Sequence, residues 1–462
     1  MLVFPLIFIT SFFYSLKQLI SKNKQGIFIF LIFGLPIYTT SLSICLQSGF
    51  GSIIPFLQPL KEILVLVALG VSVWQYRGKF RLQFIDVMVM AYFAYTLLYV
   101  FLPIGTLGIT AKAISFKSTS FFVLVYITGR LLKISELFVS KYFHYFLIVI
   151  IAATLLLMGE MFMNQHFQTL TGYADYNFYF FNQEPSGNFG LTWTYETSTG
   201  LKRFASFFAN PLEYGAATLL CLAIIGALYT KDDNKFRPDG LGLVAILATQ
   251  FSIFFAISRA SLASYFLMIF IYALVTKNKF ILRAFYAVSA LGIIYIAFFL
   301  FVINPDLYDF IIETVNFSNP SSVGHVIAWV NGFEAIMNNP MGLGLGASGV
   351  LAESTGGGIG GENQYIIIGV QTGIISLIIY LIIHFYFIGS CWKWFKLLKG
   401  KERKICLCLL LIKIGFIIPM FTSELESSAY LAYTGWFLSG IFVSIIANKN
   451  KPKEIQPAIT TA

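Results

Sequence analysis

Residues 364–388 read QYIIIGVQTGIISLIIYLIIHFYFI, a run with no Lys, Arg, Asp or Glu. A membrane-spanning helix needs about 20 mostly apolar residues, and this run supplies them. Its apolar positions are continuous and lack the alternation of a barrel strand. In lipid the backbone satisfies itself only as a helix or a closed barrel, so the stretch reads as a spanning helix. Similar runs lie near 2–16, 26–46, 57–75, 84–103, 118–132, 142–163, 211–230, 240–257, 260–276, 284–304, 405–421 and 429–447. The set predicts an all-α polytopic membrane protein of about 12–13 transmembrane helices. The first run is short, and it either spans or lies in the interface.

Composition agrees. Of 462 residues, 58% are hydrophobic and 11% are charged, and mean hydropathy is +0.79. A soluble chain carries about a quarter of its residues charged. These values exclude a water-soluble globule, a disordered chain and a nucleic-acid-binding domain together. The five cysteines are an odd number, and Cys406 and Cys408 lack the two-residue gap of a metal or redox pair, so neither a disulfide framework nor structural zinc is expected.

The formal charge of +10 is mostly a statement about topology. Seven tight Lys/Arg clusters, around 17–24, 77–81, 130–141, 231–237, 277–283, 393–404 and 449–453, hold 24 of the 31 basic residues. All fall between alternate runs, hence on one side, and the positive-inside rule makes that side cytoplasmic. The tail 448–462 belongs there too. Two long polar segments, 164–210 and 305–363, lie on the opposite face, where connections of such length are usually functional. No signal-peptide cleavage site is evident, and neither a fixed-period repeat nor an inverted repeat stands out.

Three basic residues break the charge rule on the outer face. Lys202 and Arg203 close the first long segment, and Arg259 sits in Ser258-Arg259-Ala260-Ser261 between two apolar runs. An arginine there is costly unless it snorkels, pairs or meets an anion. A guanidinium also grips a phosphate or diphosphate with two parallel hydrogen bonds. In the second segment, apolar residues recur at helical spacing from His325 through Trp329 to Ala335, predicting a short helix against the membrane face. Asn339-Pro340-Met341-Gly342-Leu343-Gly344-Leu345-Gly346 then turns the chain back, and Gly356–Gly361 supplies a flexible hinge or lid. This delivers Glu362 and Asn363 to the next helix, where either could also serve as an N-terminal cap. His144, His166 and His384 read as structural, and Glu424 and Glu426 as a solvated turn.

In this order the pieces resemble the O-antigen polymerase and O-antigen ligase superfamily over roughly residues 200–390. Four segments carry the resemblance: Arg203 to Gly215 with Asn210-Pro211 at its centre, Ser258 to Ser261, Trp329 to Gly346, and Glu362-Asn363-Gln364-Tyr365 with Gly373 beyond. Two positions depart from the family pattern. Ligases carry His where Glu362 stands, and many members carry Arg where His325 stands. The first departure favours a Wzy-type polysaccharide polymerase over a ligase.

The resemblance implies a glycosyltransferase in a bacterial cytoplasmic membrane, its site facing the periplasm or cell exterior. It would act on undecaprenyl-diphosphate-linked oligosaccharide within membrane lipid, with a chain-length regulator as a further protein partner. It implies catalytic roles for Glu362, Arg203, Arg259 and His325, and substrate contacts from Lys202, Asn363, Tyr365 and Trp329. The scheme requires no metal and no cofactor. Tyr173, Tyr176, Phe178, Tyr179, Phe180, Phe181 and Trp193 offer rings for sugar stacking, or else pack the loop on the membrane. A ligase-like or protein O-glycan transferase and a lipid-linked oligosaccharide flippase stay open as alternatives. A transporter would show charges at mid-span, and Lys413 is the clearest of these, while Lys61 and Glu62 can pair locally.

Overall fold

The computed structural model describes residues 1–77, 80–197, 200–298, 320–349, 352 and 358–449. Among these the chain is helical, with only isolated β-bridges outside the helices. In chain order come α1 (Val3–Ile20), α2 (Lys24–Gln47), α3 (Gly51–Trp74), α4 (Phe84–Phe101), α5 (Ile109–Ser120) and α6 (Phe122–Arg130). Next are α7 (Val139–Met163), α8 (Tyr173–Phe181), α9 (Pro211–Tyr229), α10 (Gly240–Phe255) and α11 (Arg259–Thr276). The last are α12 (Lys279–Phe298), α13 (Pro320–Asn338), α14 (Gln364–Phe395), α15 (Gly400–Phe421) and α16 (Ala429–Lys449). Ten of the described helices, all but α5, α6, α8, α10, α12 and α13, are long and apolar enough to cross a membrane. The protein is an all-α, multi-pass membrane protein.

Ten is fewer than the 12–13 expected from apolar runs, and the differences have local reasons. The run 118–132 is not among these ten: α5 ends at Ser120 and meets the 9-residue α6 through Phe121, whose backbone is itself helical. A helix that short is tolerated because protein surrounds it, with Phe122, Val123, Val125 and Tyr126 all buried. The run 240–257 gives only the 16 residues of α10. Residues 299–304 of another run lie outside the described residues, as do 305–319, 353–357 and the tail from 450. The short first run is a full 18-residue helix that continues to Ile20.

Burial orders the bundle. The apolar windows of α16 and α9 are 94% and 83% buried, against 33% for α1 and 28% for α3, so α16 and α9 form the centre and α1 and α3 face outward. Lipid gives helices no hydrophobic reason to associate, and close packing through small residues takes its place. Gly129 on α6 and Gly440 on α16 show how: a Cβ on the first would strike the Phe437 carbonyl, and one on the second the Tyr126 carbonyl.

Charges inside this bundle are paired. Arg130, grouped by sequence with the solvated cytoplasmic cations, is buried and bonds Asp86, with Nε 3.1 Å from Oδ1. Tyr126 donates to the same oxygen. Lys413 lies over the Trp436 ring at 4.0 Å. Lys61 and Lys117 both reach Glu62, at 3.5 and 3.1 Å. Glu426 is no solvated turn residue: it is buried and accepts from the Tyr380 hydroxyl at 2.7 Å and from the Trp436 indole at 2.8 Å.

Candidate functional site

The segment carrying Arg203 is held from both sides. Glu160, buried near the end of α7, accepts from the backbone N–H groups of Phe167 (2.8 Å) and Ser206 (2.9 Å). The Arg203 N–H donates to the Tyr195 carbonyl at 2.8 Å, and the Tyr195 hydroxyl donates to Ala209 O at 2.6 Å. Asn210 then caps α9 by accepting from Glu213 N at 2.8 Å, with Pro211 at the first helical position. Proline there loses no helical hydrogen bond.

Arg259 opens α11, whose cap is Ser258, accepting from Ser261 N at 3.3 Å. Gly215 lets this turn dock one helical turn into α9: a Cβ on it would stand 2.8 Å from Ser261 Oγ. The glycine and serine of two separated sequence segments are thus one contact. Phe204 N donates to Phe255 O at 3.3 Å, completing the same junction.

The third and fourth segments interlock as well. Gly373, at φ 81° and ψ 177°, breaks the helical path of α14. The freed carbonyls of Val370 and Gln371 accept from Leu343 N (2.7 Å) and Gly344 N (3.0 Å), while Ile374 N donates to Pro340 O at 2.9 Å. The Asn-Pro-Met-Gly-Leu-Gly turn therefore returns the chain onto α14. Its glycines supply the positive φ and close approach this demands, Gly342 having φ 81° and lying against Gly373 N. Gly360 packs near α13 beside Gly332, and residues 353–357 of the glycine-rich stretch lie outside the described residues.

These junctions place Arg203, Arg259, His325, Trp329 and Glu362 on one cleft of about 770 Å³. Asn188, Trp193, Thr194, Glu196 and Phe421 complete much of its wall. Burial lowers the pKa of Arg203 and Arg259 lowers it further, while the Glu362 carboxylate raises it. Arg203 is thus within electrostatic reach of both Arg259 and Glu362. The Arg203 Nε is buried without a hydrogen-bond partner among the described residues. His325 is likewise held below its ordinary value, by burial first, then by Arg259 and Arg203. The wall thus joins two guanidinium groups, the carboxyl groups of Glu196 and Glu362, and the rings of Trp193 and Trp329.

Three other sequence candidates stand outside that wall. Lys202 turns to Asn164, whose side-chain oxygen accepts from it at 3.0 Å, and lies over the Phe189 ring at 5.0 Å. Asn363 is the cap, its side chain accepting from Tyr365 N (3.0 Å) and Ile366 N (3.2 Å). Tyr365 is not on that wall and packs against its Phe421, the rings tilted with centroids 4.9 Å apart. Of the loop aromatics only Trp193 lines the cleft. Tyr173–Phe181 form α8, where Tyr176 packs with Leu42, Cys45 and Ile54.

Glu196 and Asn188 went unrecognised in the sequence. Glu196 holds Asn188 through its backbone N–H and side-chain amide, both at 2.6 Å, and no motif marks either residue. Among the described residues no group of three or more His, Cys, Asp or Glu side chains has metal-site geometry. No protein-family model matches this chain, and no curated protein matches its sequence.

Proposed function

We propose that the protein polymerises lipid-diphosphate-linked oligosaccharide repeat units, undecaprenyl diphosphate being the lipid carrier the resemblance implies, at the outer face of a bacterial cytoplasmic membrane. The observation that carries this reading is the convergence of Arg203, Arg259, His325, Trp329 and Glu362, from separate segments, on one cleft. The outward orientation follows from the Lys/Arg bias of the opposite side.

In the reaction, a hydroxyl at the non-reducing end of one repeat unit attacks the anomeric carbon of the growing chain. The new carbon–oxygen bond forms as the bond to diphosphate breaks, and the electron pair leaves with the diphosphate. Arg203 and Arg259 stabilise the charge that develops there, an effect on the order of 3 kcal/mol for one well-placed donor. Glu362 takes the hydroxyl proton, since a neutral hydroxyl is a poor nucleophile. Trp193 and Trp329 offer faces for sugar or prenyl groups.

Deletion in the native cell, followed by electrophoresis of the surface glycan, tests the reading. A polymerase predicts collapse of a ladder to single repeat units. Unligated polymer would instead indicate a ligase, and loss of every unit a flippase.

A further inference from the structure

A second, smaller cleft of about 280 Å³ shares Glu362, Thr194 and Leu212 with the first. Its lining differs in kind. Neither Arg203 nor Arg259 belongs to it, and Glu213, Glu424, Asn210 and Lys61 do. We propose that this cleft is the acceptor subsite, holding the terminal sugar of the incoming repeat unit with its attacking hydroxyl toward Glu362. The proposal rests on the polymerase reading above and assigns the half of the site that the arginine cleft leaves open.

The two clefts differ in charge. Three carboxyl groups and one ammonium line the small cleft, whereas in the large one the two guanidinium groups stand against two carboxyl groups, Glu196 and Glu362. Acidic groups outnumber basic ones only in the small cleft, so a diphosphate is favoured beside the arginines and a hydroxyl-bearing acceptor in the other half. Carboxylates, amides and ammonium groups are also the partners sugar hydroxyls need, because each carboxylate oxygen accepts more than one hydrogen bond. Glu213 keeps such capacity: Oε1 accepts from Ser428 Oγ at 2.7 Å and Oε2 from Ala209 N at 3.2 Å. Tyr38 and Tyr430 contribute apolar ring surface for the sugar's C–H faces.

Size and placement agree. The small cleft is at the lower edge of small-molecule sites, which run upward from about 300 Å³, and suits one sugar ring rather than a chain. It is also built on rigid elements: Tyr38 and Thr39 come from α2, Glu213 from α9, and Tyr430 from α16, the most buried span. Glu362 is the only ionisable group common to both walls. A base placed there meets a hydroxyl from one side and an anomeric carbon from the other.

The test uses the purified full-length protein in lipid nanodiscs and two probes. One is farnesyl diphosphate. The other is the diphosphate-free oligosaccharide released by mild acid from the cell's lipid-linked repeat unit. Thr39→Trp fills the small cleft without removing a charge, and Glu424→Gln alters its polar wall. Each should raise the oligosaccharide Kd by about tenfold or more, on the scale where tenfold is 1.4 kcal/mol, while leaving the farnesyl diphosphate Kd within about twofold. Arg259→Lys should do the reverse. Normal diphosphate binding in Thr39→Trp also shows that the variant is folded. If the oligosaccharide fails to bind the parent protein, or binds Thr39→Trp with unchanged Kd, the acceptor subsite is overturned. If farnesyl diphosphate binding ignores the arginines, the donor reading falls instead, on the other probe.

Discussion

Gly373 meets Pro340 at the point where α14 breaks. With φ 81° and ψ 177° the glycine occupies backbone space that side chains rarely adopt, and a Cβ there would strike the Pro340 carbonyl oxygen. This contact fixes the returning turn against the helix that follows Glu362, so the position of the proposed base depends on it. Gly373→Ala is expected to cost about 2–4 kcal/mol, combining backbone strain with overpacking. Gly389, on the same helix with nothing near its Cβ position, is the control, and Gly389→Ala should change little. Thermal unfolding in detergent measures both, and equal Tm values for the two variants would refute the interlock.

His325 links anion binding to pH. Burial, Arg259 and Arg203 hold its pKa below the ordinary histidine value. A bound diphosphate replaces part of that repulsion with attraction and raises it. Binding then takes up a proton, so affinity for farnesyl diphosphate should strengthen as pH falls from 7.5 toward 5.5. His325→Gln should flatten this dependence and retain binding at high pH. An unchanged pH slope in the variant would remove His325 from the anion site.

Arg203→Lys and Arg259→Lys should each slow glycan transfer by about 10- to 100-fold, because an ammonium keeps the charge and loses the planar fork. Single-turnover rates with lipid-linked repeat units measure this, and parent-like rates in both variants would contradict the assigned grip.

His166 is buried against the rings of Phe189, Tyr195 and Phe204, at centroid distances of 5.1 to 5.4 Å, and neither ring nitrogen has a hydrogen-bond partner among the described residues. Burial, then Lys202, push its pKa down to about 4 against an opposing Glu196, from an ordinary 6.5. As pH falls from 6.5 to 4 the unfolded chain therefore binds a proton that the folded one refuses, and stability declines across that window. His166→Phe should remove this component and hold Tm more level between pH 6.5 and 4. A Tm profile that parallels the parent's would show that other groups set the acid sensitivity.

The fold class was legible because the membrane demands it: runs such as 364–388 have no soluble alternative. The arginine cleft was legible too, since Arg203 and Arg259 break a charge rule that most other basic residues obey. What failed was everything decided by three-dimensional neighbours. Arg130 sits in a cluster read as cytoplasmic charge, and its buried pairing with Asp86, 44 residues away, was not visible in that reading. Glu426 looked solvated because its partners Tyr380 and Trp436 lie on other helices. Asn363 offered two roles at a helix start, and only the structure assigns the cap. Lys202 follows the same outward logic as Arg203, but adjacent residues of an extended segment point apart, and Asn164 claims it.

Glu362 is the proposed base at the meeting point of the donor and acceptor clefts. Purified protein incubated with a lipid-diphosphate-linked repeat unit should yield a ladder of longer glycans and release free lipid diphosphate. Glu362→Gln, isosteric and unable to take the proton, should bind farnesyl diphosphate and lose about 10²- to 10⁴-fold in rate. A ladder formed by Glu362→Gln at the parent rate would contradict the account.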